Sequence, residues 1–172
     1  MFRKANLSDL DAICSIYDAV HGAEEAGLAT IGWARTIYPT RATARQGICA
    51  DDLFVLVEDG VVLACARINQ IQVEEYKNAN WSFDAADNKV MVLHTLAVHP
   101  KTAHRGLGTR FMAFYEEYAA RMGCTCLRMD TNMRNTVART LYKKLGYTEA
   151  SIIPCTFNGI EGVELVCLEK QL

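Results

Sequence analysis

The stretch that decides the fold is VMVLHTLAVHPKTAHRGLGTRF, residues 90–111. Its first nine residues, Val90 to Val98, are nearly all apolar and suit a strand covered on both faces. From about Gly106 to Met122 a helix is predicted, with Leu107, Phe111, Phe114, Tyr115 and Tyr118 on one broad side. Between strand and helix stands Gly106-Leu107-Gly108. Amides at a helix N-terminus lack partners and carry partial positive charge, and glycine lets an anion approach them closely. Arg105 and Arg110 add mobile positive charge. The guest that suits this turn is a phosphate or diphosphate. A plain loop-to-helix transition is the alternative, because a lone Gly-x-Gly is weakly specific.

Two familiar phosphate motifs do not fit. The nucleotide P-loop needs Lys-Ser/Thr after its last glycine, and Gly108 is followed by Thr109-Arg110. The dinucleotide fingerprint needs a third glycine where Phe111 stands. Asp130 does end the next strand at a suitable distance, but seven residues, His99 to Arg105, separate Val98 from Gly106, too many for that motif's tight turn.

Upstream, residues 2–5 read as a short strand. Ser8 offers an N-cap for a helix carrying Leu10, Ile13, Ile16, Tyr17 and Val20, ending at His21-Gly22. Residues 24–50 read as two short helical pieces, with Pro39 interrupting or starting one of them. LFVLVED, Gly60 and VVLACARINQ form a hairpin. Residues 71–89 are polar apart from an isolated Trp81 and Phe83, a long loop that is functional or locally ordered. Downstream, Gly123 closes the central helix, CTCLRMD makes a strand, and NTVARTLYKKLGY makes a short helix stopped by Gly146. Final strands are expected at 148–154 and 162–169. The crossover from 90–98 to 125–130 makes those two strands parallel.

Composition narrows the function classes. A net charge of -2 and a pI near 6.1 argue against nucleic-acid binding, which needs clustered Lys and Arg. Seven cysteines, without CxxC or Cys/His metal spacing, read as reduced thiols. No apolar run is long enough to span a bilayer, and the charged MFRKANLSDLDA has no signal-peptide character. The expectation is a cytoplasmic protein of one domain over residues 1–172, without a metal and without membrane or nucleic-acid partners.

A second block raises the specificity of the glycine turn. About thirty residues after Gly106 comes N135-TVA-RT-LY-KKLGY. LHTLAVHP, RGLGT and this block, in that order, resemble the paired signatures of the GNAT N-acetyltransferase superfamily over residues 91–147. The resemblance implies a mixed α/β fold. Its mostly antiparallel sheet of six to seven strands would have a parallel pair in the middle and about four flanking helices. It implies acetyl-coenzyme A as cofactor and direct transfer of its acetyl group to a primary amine. The diphosphate would sit on the amides of His104, Arg105, Gly106, Leu107, Gly108 and Thr109. The pantetheine arm would lie along Leu96, Ala97 and Val98, with Asn135 hydrogen-bonding it. Ala103 stands where the family usually has Arg or Gln.

The resemblance places Tyr142 at the general-acid position, and a phenol stays protonated at neutral pH. An ammonium must lose its proton before it attacks. His94, matching a histidine position of the arylalkylamine acetyltransferases, is the candidate acceptor, with Val92 at the position of their other histidine. Strand alternation predicts that His94 and Leu96 share one face. Candidate acceptor-lining residues are Trp33, Tyr38, Asn69, Tyr76, Phe157 and Asn158. The acceptor is expected to be a small or amino-acid-like amine. The alternatives are a peptide amine and a non-catalytic acyl-coenzyme A sensing module, and the 71–89 loop could instead make a homodimer contact.

Overall fold

The computed structural model describes residues 1–102 and 105–172. Seven strands form one sheet: β1 (Phe2–Lys4), β2 (Leu53–Glu58), β3 (Val61–Asn69), β4 (Val90–Val98), β5 (Cys126–Asn132), β6 (Thr148–Phe157) and β7 (Ile160–Gln171). Their spatial order is β1-β2-β3-β4-β5-β7-β6. Only β4 and β5 run parallel, joined by the crossover helix α3 (Leu107–Arg121). The other helices are α1 (Leu10–Glu25), α2 (Arg41–Cys49) and α4 (Thr136–Lys144). Among the described residues no helix is long and apolar enough to cross a membrane.

Alternation along the strands divides the core into two layers. Ala64, Ala66 and Ile68 of β3, with Met91 and Leu93 of β4, pack with Phe111, Met112 and Tyr115 of α3 and Tyr142 of α4. On the opposite face Val55 and Cys65 pack with Ile13, Ile16, Tyr17 and Val20 of α1. The remainder of that face, over β5, β7 and β6, is covered by the 71–89 segment, with Tyr76 buried and Trp81 and Phe83 packed alongside. The two aromatics that look isolated in the sequence are anchors. Arg128 lies over the Trp81 ring at 4.2 Å and donates to the Phe83 carbonyl, while the buried Glu169 carboxylate accepts the amides of Ser82 and Phe83.

Several local expectations are corrected. Asn6, not Ser8, caps the first helical turn: its Oδ1 accepts the Ser8 amide, and Asp9 accepts the Asn6 amide in return. Helix α1 continues past His21-Gly22 to Glu25, and the buried His21 bonds the Pro39 carbonyl through Nε2 at 2.9 Å. Residues 24–50 hold one separate helix, α2, capped by Thr40; residues 29–39 are irregular except for a bridge between Ala34 and Tyr38. The last two strands are longer than expected and meet at Asn158-Gly159, both with positive φ, the two-residue turn that suits a twisted hairpin.

Strand β4 also carries a bulge. Its register with β3 runs Cys65↔Ala97 and then Arg67↔His94, one extra residue on β4, with Thr95 at φ 53°. Leu93 and Leu96 therefore both pack toward α3, although an odd number of steps apart, and His94 faces the other way beside Arg67 and Asn69. His94 and Leu96 do not share a face.

Candidate active site

The parallel pairing of β4 with β5 stops at Leu93↔Met129, yet β4 continues to Val98 and β5 to Asn132. Past that point each strand is held by its outer neighbour, β3 or β7, and the two diverge. A cleft of about 940 Å³ opens in the gap. Its walls include Leu96, Ala97 and Val98 on one side and Asp130, Thr131 and Asn132 on the other, with Gly106 to Thr109 and Tyr142 at one end.

The α3 end of the cleft fits a diphosphate. Gly106 sits at φ 71° just before the helix, and no side chain caps the first turn among the described residues. A Cβ on Gly106 would meet nothing within 4 Å, so its glycine serves the backbone conformation. Gly108 differs: a Cβ there would lie 3.3 Å from Leu141 Cδ2, so its missing side chain lets α4 pack closely. Arg105 and Arg110 both bond Glu58, the latter through a very short contact, and hold its carboxyl below the usual range. Arg105 thus enters any phosphate contact already paired. His104, assigned to the same loop, lies outside the described residues, as does Ala103.

Asn135 caps α4, its Oδ1 accepting the Ala138 amide at 3.2 Å and its Nδ2 donating to Thr131. The Tyr142 ring is buried, but its hydroxyl has no hydrogen-bond partner among the described residues and reaches the cleft. Burial, and then the nearby Asp130 charge, push its pKa above that of an ordinary phenol.

The acceptor side is a row across three strands. Arg67 of β3 stands opposite His94 of β4, and His94 and Asp130 each follow the last parallel pair by one residue. All three line the cleft. His94 Nε2 lies 3.1 Å from Asn69 Oδ1, which also accepts the Ile71 amide, while Asn69 Nδ2 donates to Asp52. That network makes Nε2 the donor and leaves Nδ1 as acceptor. Desolvation, and then the Arg67 charge, lower the His94 pKa to about 4, so it is neutral at pH 7 but a weak base. His94→Gln should accordingly change kcat/KM by one constant factor between pH 6 and 9; an added inflection in that range would show a titrating histidine.

Asp130 is a site residue that linear reading misses. Desolvation, partly offset by a 2.7 Å hydrogen bond from the Tyr76 hydroxyl, raises its pKa to about 7. Tyr76 does not line the cleft, contrary to expectation; it is buried and holds Asp130. Trp33, Tyr38, Asn69, Phe157 and Asn158 do line it. Tyr38 bonds Thr95 Oγ1 through a very short contact, and burial raises its pKa to about 12.

The sequence profile of the acetyltransferase (GNAT) family matches residues 15–147. The chain belongs to this family. The family is one of acetyltransferases. The chain is 34% identical over 61 residues to the uncharacterized N-acetyltransferase YhfO of Bacillus subtilis (strain 168), a match spanning 36% of this chain and 41% of that protein. Its fold is similar to that of a GNAT family acetyltransferase from Streptococcus agalactiae 2603, with TM-score 0.81, 22% identity, and 100% and 95% of the two chains covered. It is also similar to that of yncA from Salmonella typhimurium, solved with its cofactor acetyl-CoA, with TM-score 0.70, 20% identity, and 100% and 93% covered.

Proposed function

We propose that this single-domain GNAT chain acetylates the primary amine of a small, amino-acid-like molecule, with Asp130 as proton acceptor and Tyr142 as proton donor. The observation that carries the reading is the Asp130 carboxyl, half-buried and open to the cleft where β4 and β5 part, with a pKa near neutrality. An alkylammonium has a pKa of about 10, and a carboxylate poised near 7 is a far better acceptor for its proton than an imidazole near 4. The ionised form also attracts the ammonium before transfer.

Acetyl-coenzyme A, when bound, supplies an activated acyl thioester. The chain's own groups do the rest. The α3 amides from Gly106 to Thr109 hold the anionic end, and main-chain groups of β4 beyond Leu93, left without β5 partners, orient the arm. Any amide aimed at the carbonyl oxygen stabilises the charge that develops there. Asp130 takes the amine proton, and the Tyr142 hydroxyl, free of other partners among the described residues, donates to the departing sulfur. His94 and Asn69 fix the donor pattern on the wall between them.

A sensing module has no need of this donor and acceptor. Thermal melting with acetyl-coenzyme A at a hundredfold its dissociation constant should add about 2.7 kcal/mol. Thiol release across a panel of small amines then tests turnover: release with at least one small amine supports the reading. Binding without release from any amine would favour the sensing alternative.

A further inference from the structure

The row across β3, β4 and β5 holds a cation as well as a base. Arg67 spends Nε on Asp52 Oδ1 at 2.8 Å, and Asp52, itself buried, uses its other oxygen on Asn69. The two terminal amino groups of Arg67 have no hydrogen-bond partner among the described residues, and the side chain lines the cleft. A guanidinium clamped along one edge, with its end left free, is arranged to take a carboxylate through two parallel hydrogen bonds. Arg67, Tyr38 and Asp130 all line this one cleft.

The pair of charges suits one kind of molecule. Arg67 of β3 and Asp130 of β5 stand on either side of β4 and line one cleft. A carboxylate for Arg67 and an amine for Asp130 are the two charged groups that a free amino acid carries. A peptide N-terminus has an amide where the free carboxylate would be. Phe157, Ile160, Val163 and Leu165 of the β6–β7 hairpin, with Trp33 opposite, give the same cleft an apolar wall.

We propose that Arg67 anchors the acceptor's carboxylate and that the acceptor is a free α-amino acid with an apolar side chain. This rests on the amine-acetylation reading above. Asp52 is a positioning residue that turns the free end of Arg67 into the cleft.

The test measures thiol release by the full chain with acetyl-coenzyme A. Leucine, methionine, phenylalanine and tryptophan are each compared with their carboxamides and decarboxylated amines. The free acid should have a kcat/KM about tenfold or more above its carboxamide, and Arg67→Gln should bring that ratio close to one, with Arg67→Lys restoring part of it. Melting temperature and acetyl-coenzyme A binding check that both variants fold; the wild-type ratio needs no variant. Carboxamides or decarboxylated amines working as well as the acids would overturn the anchor and leave amine acetylation standing. An Arg67→Gln variant that folds and keeps the wild-type ratio would overturn the anchor in the same way. No release from any amine, with the cofactor still binding, overturns both readings.

Discussion

Asp130→Asn lowers kcat/KM for the acceptor amine about a hundredfold near pH 7.5, within the range usual for loss of a positioned general base. The pH profile matters more than the loss. With Asp130 present, kcat/KM rises as the carboxyl ionises through about pH 7 and then levels. Without it, the enzyme must wait for amine that is already neutral, so kcat/KM climbs toward an amine pKa of about 10 without an inflection near 7. The deficit therefore narrows as pH rises. A constant deficit at every pH would assign Asp130 to packing or binding alone.

The same substitution has an opposite effect on stability, and its sign follows from linkage. The folded-state pKa of Asp130 is raised, so the folded protein binds a proton that the unfolded chain has released. Wild-type stability from this group is complete below the unfolded pKa near 3.8 and is lost as pH rises to about 7. Asp130→Asn carries no such penalty. Its advantage in melting temperature should widen from pH 4 to 7 and stay constant above. A stability cost of this kind at a residue proposed to serve turnover fits a common trade.

Tyr142→Phe is expected to lower kcat about a hundredfold while leaving acetyl-coenzyme A binding nearly unchanged. The ring is buried against α3 and the sheet and stands edge-on to Tyr147, so phenylalanine keeps the packing. Only the hydroxyl is lost, and it has no hydrogen-bond partner among the described residues. Pre-steady-state thiol release would show the change in the chemical step. Wild-type kcat in Tyr142→Phe would mean that solvent, not the phenol, protonates the leaving sulfur.

Much of the scaffold is legible in linear sequence because its signals are local. The apolar run Val90–Val98, the helical spacing from Leu107 to Tyr118 and the punctuation at Gly123 and Gly146 each report one element. The two signature blocks report the family. Residues 29–39 resist such reading because their irregular path is set by tertiary contacts, His21 to Pro39 and Tyr38 to Thr95. The bulge at Thr95 gives no composition signal, since a single positive φ on a threonine is imposed by the surrounding sheet.

The acceptor side is harder to read for a related reason. Arg67, His94 and Asp130 are 27 and 36 positions apart, and only strand register brings them into one row. The one hint in the sequence is an acid closing the apolar strand CTCLRMD, which resembles a dinucleotide feature as much as a base. Tyr76 cannot be separated from a lining residue without its bond to Asp130. Gly108 reads as a phosphate-loop glycine, although the nearest group to its missing side chain is Leu141.

The most direct measurement is the titration of Asp130 itself, by carbon NMR of the full chain labelled at aspartate carboxyls, with Asp130→Asn identifying the signal. A midpoint near pH 7 is the predicted result. A midpoint near 4, the value of an ordinary aspartate, would contradict the assignment of Asp130 as the acceptor of the amine proton.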